Sequence, residues 1–192
     1  MAAGRLVEVT GREDTAALTM AVRLILDAQR AGEQAAWIAP SEGFFFPPDL
    51  VANGVDLRAL VVVCVPDGTA GVRAADRLVR SGSFGAVVVD VGPVPRIPPP
   101  LLARLASLAQ RHHTALVFLT QGGVPGHPGA PSVNTAHDGA SSLGSLISLR
   151  VRARRQRIAA GRFRCWLEVL KDKRRGPTWR YDEVCRGAPG MR

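Results

Sequence analysis

The sequence predicts an α/β domain with a mostly parallel central sheet flanked by helices and antiparallel strands at its C-terminal edge. Three observations carry this reading. Residues 60–65 (LVVVCV) and 85–91 (GAVVVDV) are apolar almost throughout, the pattern of strands covered on both faces. Segments of helical period separate these runs, as βαβ units require. From residue 146 the pattern changes to strict alternation, which belongs to strands with one face in water.

Taken in order, residues 6–19 (LVEVTGREDTAALT) read as strand, turn and helix. They have the outline of a phosphate-binding loop, G-x-x-x-x-G-K-[ST], in which glycine N–H groups cradle phosphates, lysine meets their outer charge and a hydroxyl holds magnesium. Of that pattern only Gly11 is present; the second glycine, the lysine and the hydroxyl positions hold Ala16, Ala17 and Leu18. By themselves these residues favour an ordinary strand–turn–helix over a decayed nucleotide site.

Residues 15–31 place Leu18, Ala21, Val22, Ile25, Leu26 and Ala28 at a spacing close to 3.6, with Arg23, Asp27 and Arg30 between them, an amphipathic helix ended near Gly32. Residues 35–39 (AAWIA), stopped by Pro40, suit a buried strand. Residues 41–53 read as a loop. It carries Phe44, Phe45 and Phe46, which cannot all face one core, although a loop plugged into its own domain accounts for most of them. After the run 60–65 comes a helix over about 70–80, then the strand closed by Asp90. An Asp at that end of a strand can hold magnesium through water or cap the next turn, and without a lysine the cap is favoured. Five prolines in residues 92–100 make a rigid connector. A helix over 101–111 and a strand over 115–119 follow.

Residues 122–144 are dominated by Gly, Pro, Ser and Ala, and a loop of that length is functional or disordered. The segment contains no Lys, Arg or aromatic residue, so nothing in it stacks bases or neutralises phosphates. His127 and His137 lie ten residues apart in it and are read as solvated rather than metal-bound. Beyond it, Leu149, Val151 and Ala153 point one way and Arg150, Arg152 and Arg154 the other, with Arg155 and Arg157 continuing the charge. Residues 164–170 form another strand, which enters the basic turn 171–176 with Lys171, Lys173, Arg174 and Arg175; Trp179 and Tyr181 fall on a final strand. Basic groups interleaved with Trp and Tyr fit single-stranded nucleic acid. A solvated sheet edge, kept from aggregating by its charge, explains the same residues without a ligand.

With 192 residues, 46% of them hydrophobic, the chain is sized for one core, which predicts a single domain over residues 1–184 and a flexible tail over 185–192. There is no apolar run of the roughly 18 residues a membrane helix needs and no signal peptide, so a cytoplasmic protein is expected. Cys64, Cys165 and Cys185 support neither a disulfide framework nor a zinc site. The net charge of +9 is unevenly placed: residues 1–149 hold 11 basic and 12 acidic groups, residues 150–192 hold 14 and 4. That one-sided field favours nucleic acid or an acidic protein surface as partner.

The order of motifs resembles the RecA-like recombinase core from residue 4 to about 184. Residues 4–11 resemble the family's entry into its phosphate loop, 28–32 the end of its first helix, and 54–57 and 80–82 its short turns. Residues 87–90 resemble its magnesium-side strand, 118–121 the strand ending in the nucleotide-sensing glutamine, here Gln121, and 169–173 the strand and lysine pair that reach a neighbouring subunit's nucleotide. The resemblance implies a RecA-like fold whose nucleotide-site positions are Gly11, Ala16, Ala17, Leu18, Asp90 and Gln121. The substitutions at 16–18 imply no ATP turnover, no catalytic residue, no cofactor and no metal, because catalysis of phosphoryl transfer is mostly electrostatic positioning and its central cation is absent. Glu42 falls one residue out of register with the family's water-activating glutamate and receives no role. The proline connector stands where the first DNA loop would be, and residues 122–144 stand in place of the second. The sequence also enters directly at the core strand, where recombinases first carry a filament-docking segment.

Within that superfamily this pattern resembles the ImuA family of accessory proteins in bacterial mutagenic translesion synthesis. The resemblance implies a non-catalytic role in the SOS response, with RecA, an ImuB-like inactive Y-family polymerase and an error-prone replicative-type polymerase as partners. The alternative is a nucleic-acid-binding module, with single-stranded DNA as ligand. The contact residues expected for partner or nucleic acid are Arg150, Arg152, Arg154, Arg155, Lys171, Lys173, Arg174 and Arg175.

Overall fold

A computed structural model of the chain describes residues 2–11, 16–41, 45–91, 97–121 and 143–186. The strands are β1 (Arg5–Gly11), β2 (Gln34–Pro40), β3 (Leu60–Val65), β4 (Phe84–Asp90), β5 (Ala115–Gln121), β6 (Leu149–Ala159), β7 (Arg162–Asp172) and β8 (Tyr181–Arg186). The helices are α1 (Ala17–Arg30), α2 (Pro47–Ala52), α3 (Gly68–Ser81) and α4 (Pro99–Arg111), with a 3₁₀ turn at Leu57–Ala59. The strands make one sheet in the order β3-β2-β4-β5-β1-β6-β7-β8. Pairing is parallel from β3 through β6 and antiparallel from β6 to β8, as the change of periodicity near residue 146 predicts.

Each face of the central strands carries its own apolar layer. On one, Met20, Ala21, Ile25 and Ala28 of α1 and Leu50 of α2 pack with Val7, Val9, Trp37, Val88 and Val117. On the other, Val72, Ala75 and Val79 of α3 and Leu102, Leu105 and Ala109 of α4 pack with Leu6, Ile38, Val87, Val89, Leu116 and Phe118. Alternate residues of one strand therefore serve opposite layers, and this is why the parallel strands read as continuous apolar runs.

The structure corrects four local expectations. Residues 47–52 are a helix, not loop, because Pro47 and Pro48 occupy its first turn, where a missing N–H is harmless and the fixed φ suits a helix. Pro99 and Pro100 open α4 in the same way, two residues before the expected start. β3 lies at the sheet edge, so Val61, Val62 and Cys64 are exposed rather than covered. Trp179 precedes β8 instead of lying on it. Of the three aromatics, Phe45 meets Trp37 with ring centroids 5.6 Å apart and Phe46 is exposed; Phe44 lies outside the described residues. Glu42, His127, His137 and residues 187–192 also lie outside them. No described helix is long and apolar enough to cross a membrane. Cys64, Cys165 and Cys185 are free thiols.

Candidate functional site

The expected nucleotide-site positions converge at the carboxyl ends of the central strands, where open α/β sheets bind ligands. Gly11 and Gln121 face each other at the ends of β1 and β5, and Asp90 closes β4 opposite Leu119. Helix α1 starts at the same end, with Ala16 as its N-cap residue and Ala17 as its first helical residue. Residues 16–18 thus stand at the entry of α1; residues 12–15 lie outside the described ones.

Among the described residues, the side chains at 16–18 are apolar. Ala16 and Ala17 are buried in the apolar layer beneath α1, at 0% and 6% exposure, and Leu18 is 41% exposed. No described side chain caps the helix, and its first turn holds no ionisable group or hydroxyl until Thr19. Beside it, Leu18, Val22, Trp37, Phe45, Phe46, Asp49 and Leu50 line a cleft of ≈ 60 Å³, well below the several hundred Å³ typical of small-molecule sites. A larger cleft of ≈ 280 Å³, lined by Glu33, Gln34, Phe84 and His112 among others, sits at the amino ends of β2 and β4, away from these positions. No group of three or more His, Cys, Asp or Glu among the described residues is placed to hold a metal ion.

The expected contact residues divide into interior and surface groups. Arg150 is buried: its Nε lies 3.4 Å from Oε2 of Glu8, which is itself fully buried and accepts a hydrogen bond from Thr120 Oγ1 at 3.3 Å. Arg150 is thus an internal counter-ion, a correction to its reading as part of an outward basic face. Arg152 and Arg154 both reach Glu168, at 3.5 and 3.0 Å, and Arg155 lies over the Phe163 ring, 4.8 Å from its centroid. Arg174 donates to the carbonyls of Ala3 and Gly4, while Lys173 and Arg175 are exposed.

Lys171 donates to the Ser145 carbonyl at 3.1 Å. Desolvation, with the charges of Lys173 and Arg150, lowers its pKa despite the opposing pull of Glu8. Between the two lysines, Asp172 points inward to Arg5, 2.6 Å away, and accepts from Trp179 Nε1 at 2.8 Å and the amides of Arg174 and Arg175. Burial alone would raise the Asp172 carboxyl, but these donors, Arg5 foremost, hold it well below the usual carboxylate range. Arg5 also donates to the Ser148 carbonyl at 2.7 Å, so a single guanidinium ties β1, the entry to β6 and the turn after β7 together. Sequence reading picked out the flanking lysines and missed this anchor. The signal was the period of two, which turns Asp172 inward when Lys171 and Lys173 turn out.

The geometry defines a class: a parallel α/β core whose first helix starts at the carboxyl end of its first strand, with an antiparallel ribbon at one edge. Comparison with known proteins places it further. The sequence profile described as the RecA N-terminal domain matches residues 1–98, and the chain belongs to that family. It is similar to the RecA protein of Rubrobacter xylanophilus, 34% identical over 137 residues that cover 62% of this chain and 40% of the relative. Similarity to RecA of Leifsonia xyli subsp. xyli is 31% over 138 residues, covering 62% and 38%. RecA of Clavibacter michiganensis subsp. michiganensis is 41% identical over 87 residues, covering 45% and 24%. The matched stretch spans at most about two fifths of these relatives.

Proposed function

We propose that this chain is a non-catalytic RecA-like accessory protein of the bacterial DNA-damage response, acting in the cytoplasm through protein contacts. Its closest functional fit is an ImuA-type component of translesion synthesis, with RecA, an ImuB-like inactive Y-family polymerase and an error-prone replicative-type polymerase as partners. One observation carries the reading: the strand and helix of the phosphate loop are kept while Ala17 and Leu18 stand at its lysine and hydroxyl positions. Phosphoryl transfer depends on a cation at the transferring phosphate, and the described residues at the head of α1, Ala16 to Thr19, offer none. A scaffold retained without that group is suited to presenting surfaces. ATP hydrolysis with single-stranded DNA present is the direct test. Turnover at background supports the reading, and DNA-stimulated turnover abolished by Asp90→Ala overturns it. A tagged chain recovered from DNA-damaged cells should bring down RecA or the mutagenic polymerases.

The excess of basic over acidic groups in residues 150–192 supports a second reading, a nucleic-acid-binding module on the C-terminal ribbon. The pairing of Arg150, Arg152 and Arg154 with carboxylates weakens it.

A further inference from the structure

The helical layer formed by α3 and α4 carries a second basic surface, hidden in the sequence because residues 1–149 are nearly neutral as a whole. Helix α3 presents Arg73, Arg77 and Arg80 at spacings of four and three residues, one exposed stripe along its outer side. Helix α4 presents Arg104 and Arg111, seven residues apart and also exposed. The only carboxylate on either helix is Asp76, buried between them, and its Oδ2 accepts from both Arg80, at 2.7 Å, and Arg104, at 2.9 Å. Asp76 therefore pins two guanidinium groups side by side and neutralises one of them. Arg73 and Arg77 pair with no described carboxylate. Five arginines against one aspartate leave the two helices a net +4.

What else the surface lacks indicates what it fits. Neither helix contains an aromatic residue, and none of the large hydrophobic side chains exposed on this protein lies on them. A protein partner needs an apolar or aromatic anchor at the centre of its interface, and single-stranded nucleic acid is held by stacking on aromatic rings. A guanidinium array with neither is matched to a phosphate backbone, and duplex offers twice the linear charge of a single strand, one per about 1.7 Å of axis. We propose that the α3–α4 face binds the sugar–phosphate backbone of duplex nucleic acid without regard to sequence.

Fluorescence anisotropy of a labelled duplex against the full chain tests this, using the pair Arg73→Glu/Arg77→Glu. The natural chain should bind duplex more tightly than the matching single strand. The charge-reversed pair should lose at least about tenfold in affinity at about 100 mM salt, and its slope of log affinity on log salt should flatten by about 2, near 0.9 per lost contact. If melting shows that the reversal disturbs folding, Arg73→Gln/Arg77→Gln is read instead and should give the same direction. Unchanged affinity and slope in a folded variant, tighter binding of the single strand, or displacement by polyglutamate as effective as by unlabelled duplex would each overturn the proposal.

Discussion

Arg5 and Asp172 meet through a 2.6 Å ion pair that joins the first strand of the sheet to the end of β7, 167 residues away, with both side chains at most 2% exposed. The pair is surrounded by donors that use the remaining carboxylate lone pairs, including Trp179 and two backbone amides. Removing one member leaves the other charged and buried. Asp172→Ala is therefore expected to lower unfolding free energy by about 3–5 kcal/mol, measured by urea denaturation. A loss below about 1 kcal/mol would mean that Arg5 finds water or another acceptor.

The same pair sets a pH dependence. Asp172 has a depressed pKa in the folded state, so its contribution is fully present above the unfolded carboxylate value of about 3.9 and is lost as pH falls toward the folded value. Urea midpoints from pH 7 to pH 3 should fall more steeply for the natural chain than for Asp172→Asn. Parallel curves would show that other carboxylates dominate the acid limb.

Arg150 and Arg152 are neighbours in the same alternating pattern, yet their substitution should differ sharply. Arg150→Ala removes the cation 3.4 Å from the buried Glu8 carboxylate and is expected to destabilise by about 3–5 kcal/mol. Arg152→Ala opens a pair with the half-exposed Glu168 and should change stability by less than about 1 kcal/mol. Equal losses in chemical denaturation would contradict the assignment of Arg150 to the interior.

That contrast marks how far the sequence could be read. Local period identified the strands, the α1 and α3 helices and the two faces of β6, because side-chain direction follows from backbone geometry alone. Period does not say which strand lies beside which. The run 60–65 looks as buried as 85–91, but chain connections put β3 at the edge and β4 inside. Glu8 becomes the partner of Arg150 only once β6 is laid beside β1. Prolines misled in another way: Pro47–Pro48 and Pro99–Pro100 begin helices, and a local reading takes such pairs as breaks. For the candidate site, the convergence of Gly11, Asp90 and Gln121 was legible through the family resemblance. The Arg5–Asp172 anchor and the α3–α4 arginine face depend on packing between separate elements.

Position in the sheet also governs solubility and thiol reactivity. Val61 and Val62 are each 39% exposed on an edge strand that has no charge along its length, a template for pairing with other chains. Val62→Lys should slow aggregation in light scattering and change stability by only about 0.5 kcal/mol. On the same strand Cys64 is exposed. Cys165 and Cys185 are shielded, and burial raises both of their pKa values. An aromatic disulfide reagent should titrate one thiol quickly in the folded protein and all three after unfolding. More than one fast equivalent would place β8 among the readily opened elements.

The head of α1 offers the sharpest test of the accessory reading. Ala16→Gly/Ala17→Lys/Leu18→Thr restores the second glycine, the cation and the hydroxyl at the entry of a helix that still starts at the carboxyl end of β1. The lysine replaces a side chain only 6% exposed, so the triple variant should be less stable than the natural chain, with the loss relieved as nucleotide fills the site. Calorimetry should find no ATP binding to the natural chain and measurable binding to the variant, accompanied by a rise in its melting temperature with added ATP and magnesium. The gain would locate the missing function in three side chains on an intact backbone. Failure of a folded variant to bind would place the loss in the loop's main chain as well, since a lysine without the cradle of amides is a point charge and not a phosphate site.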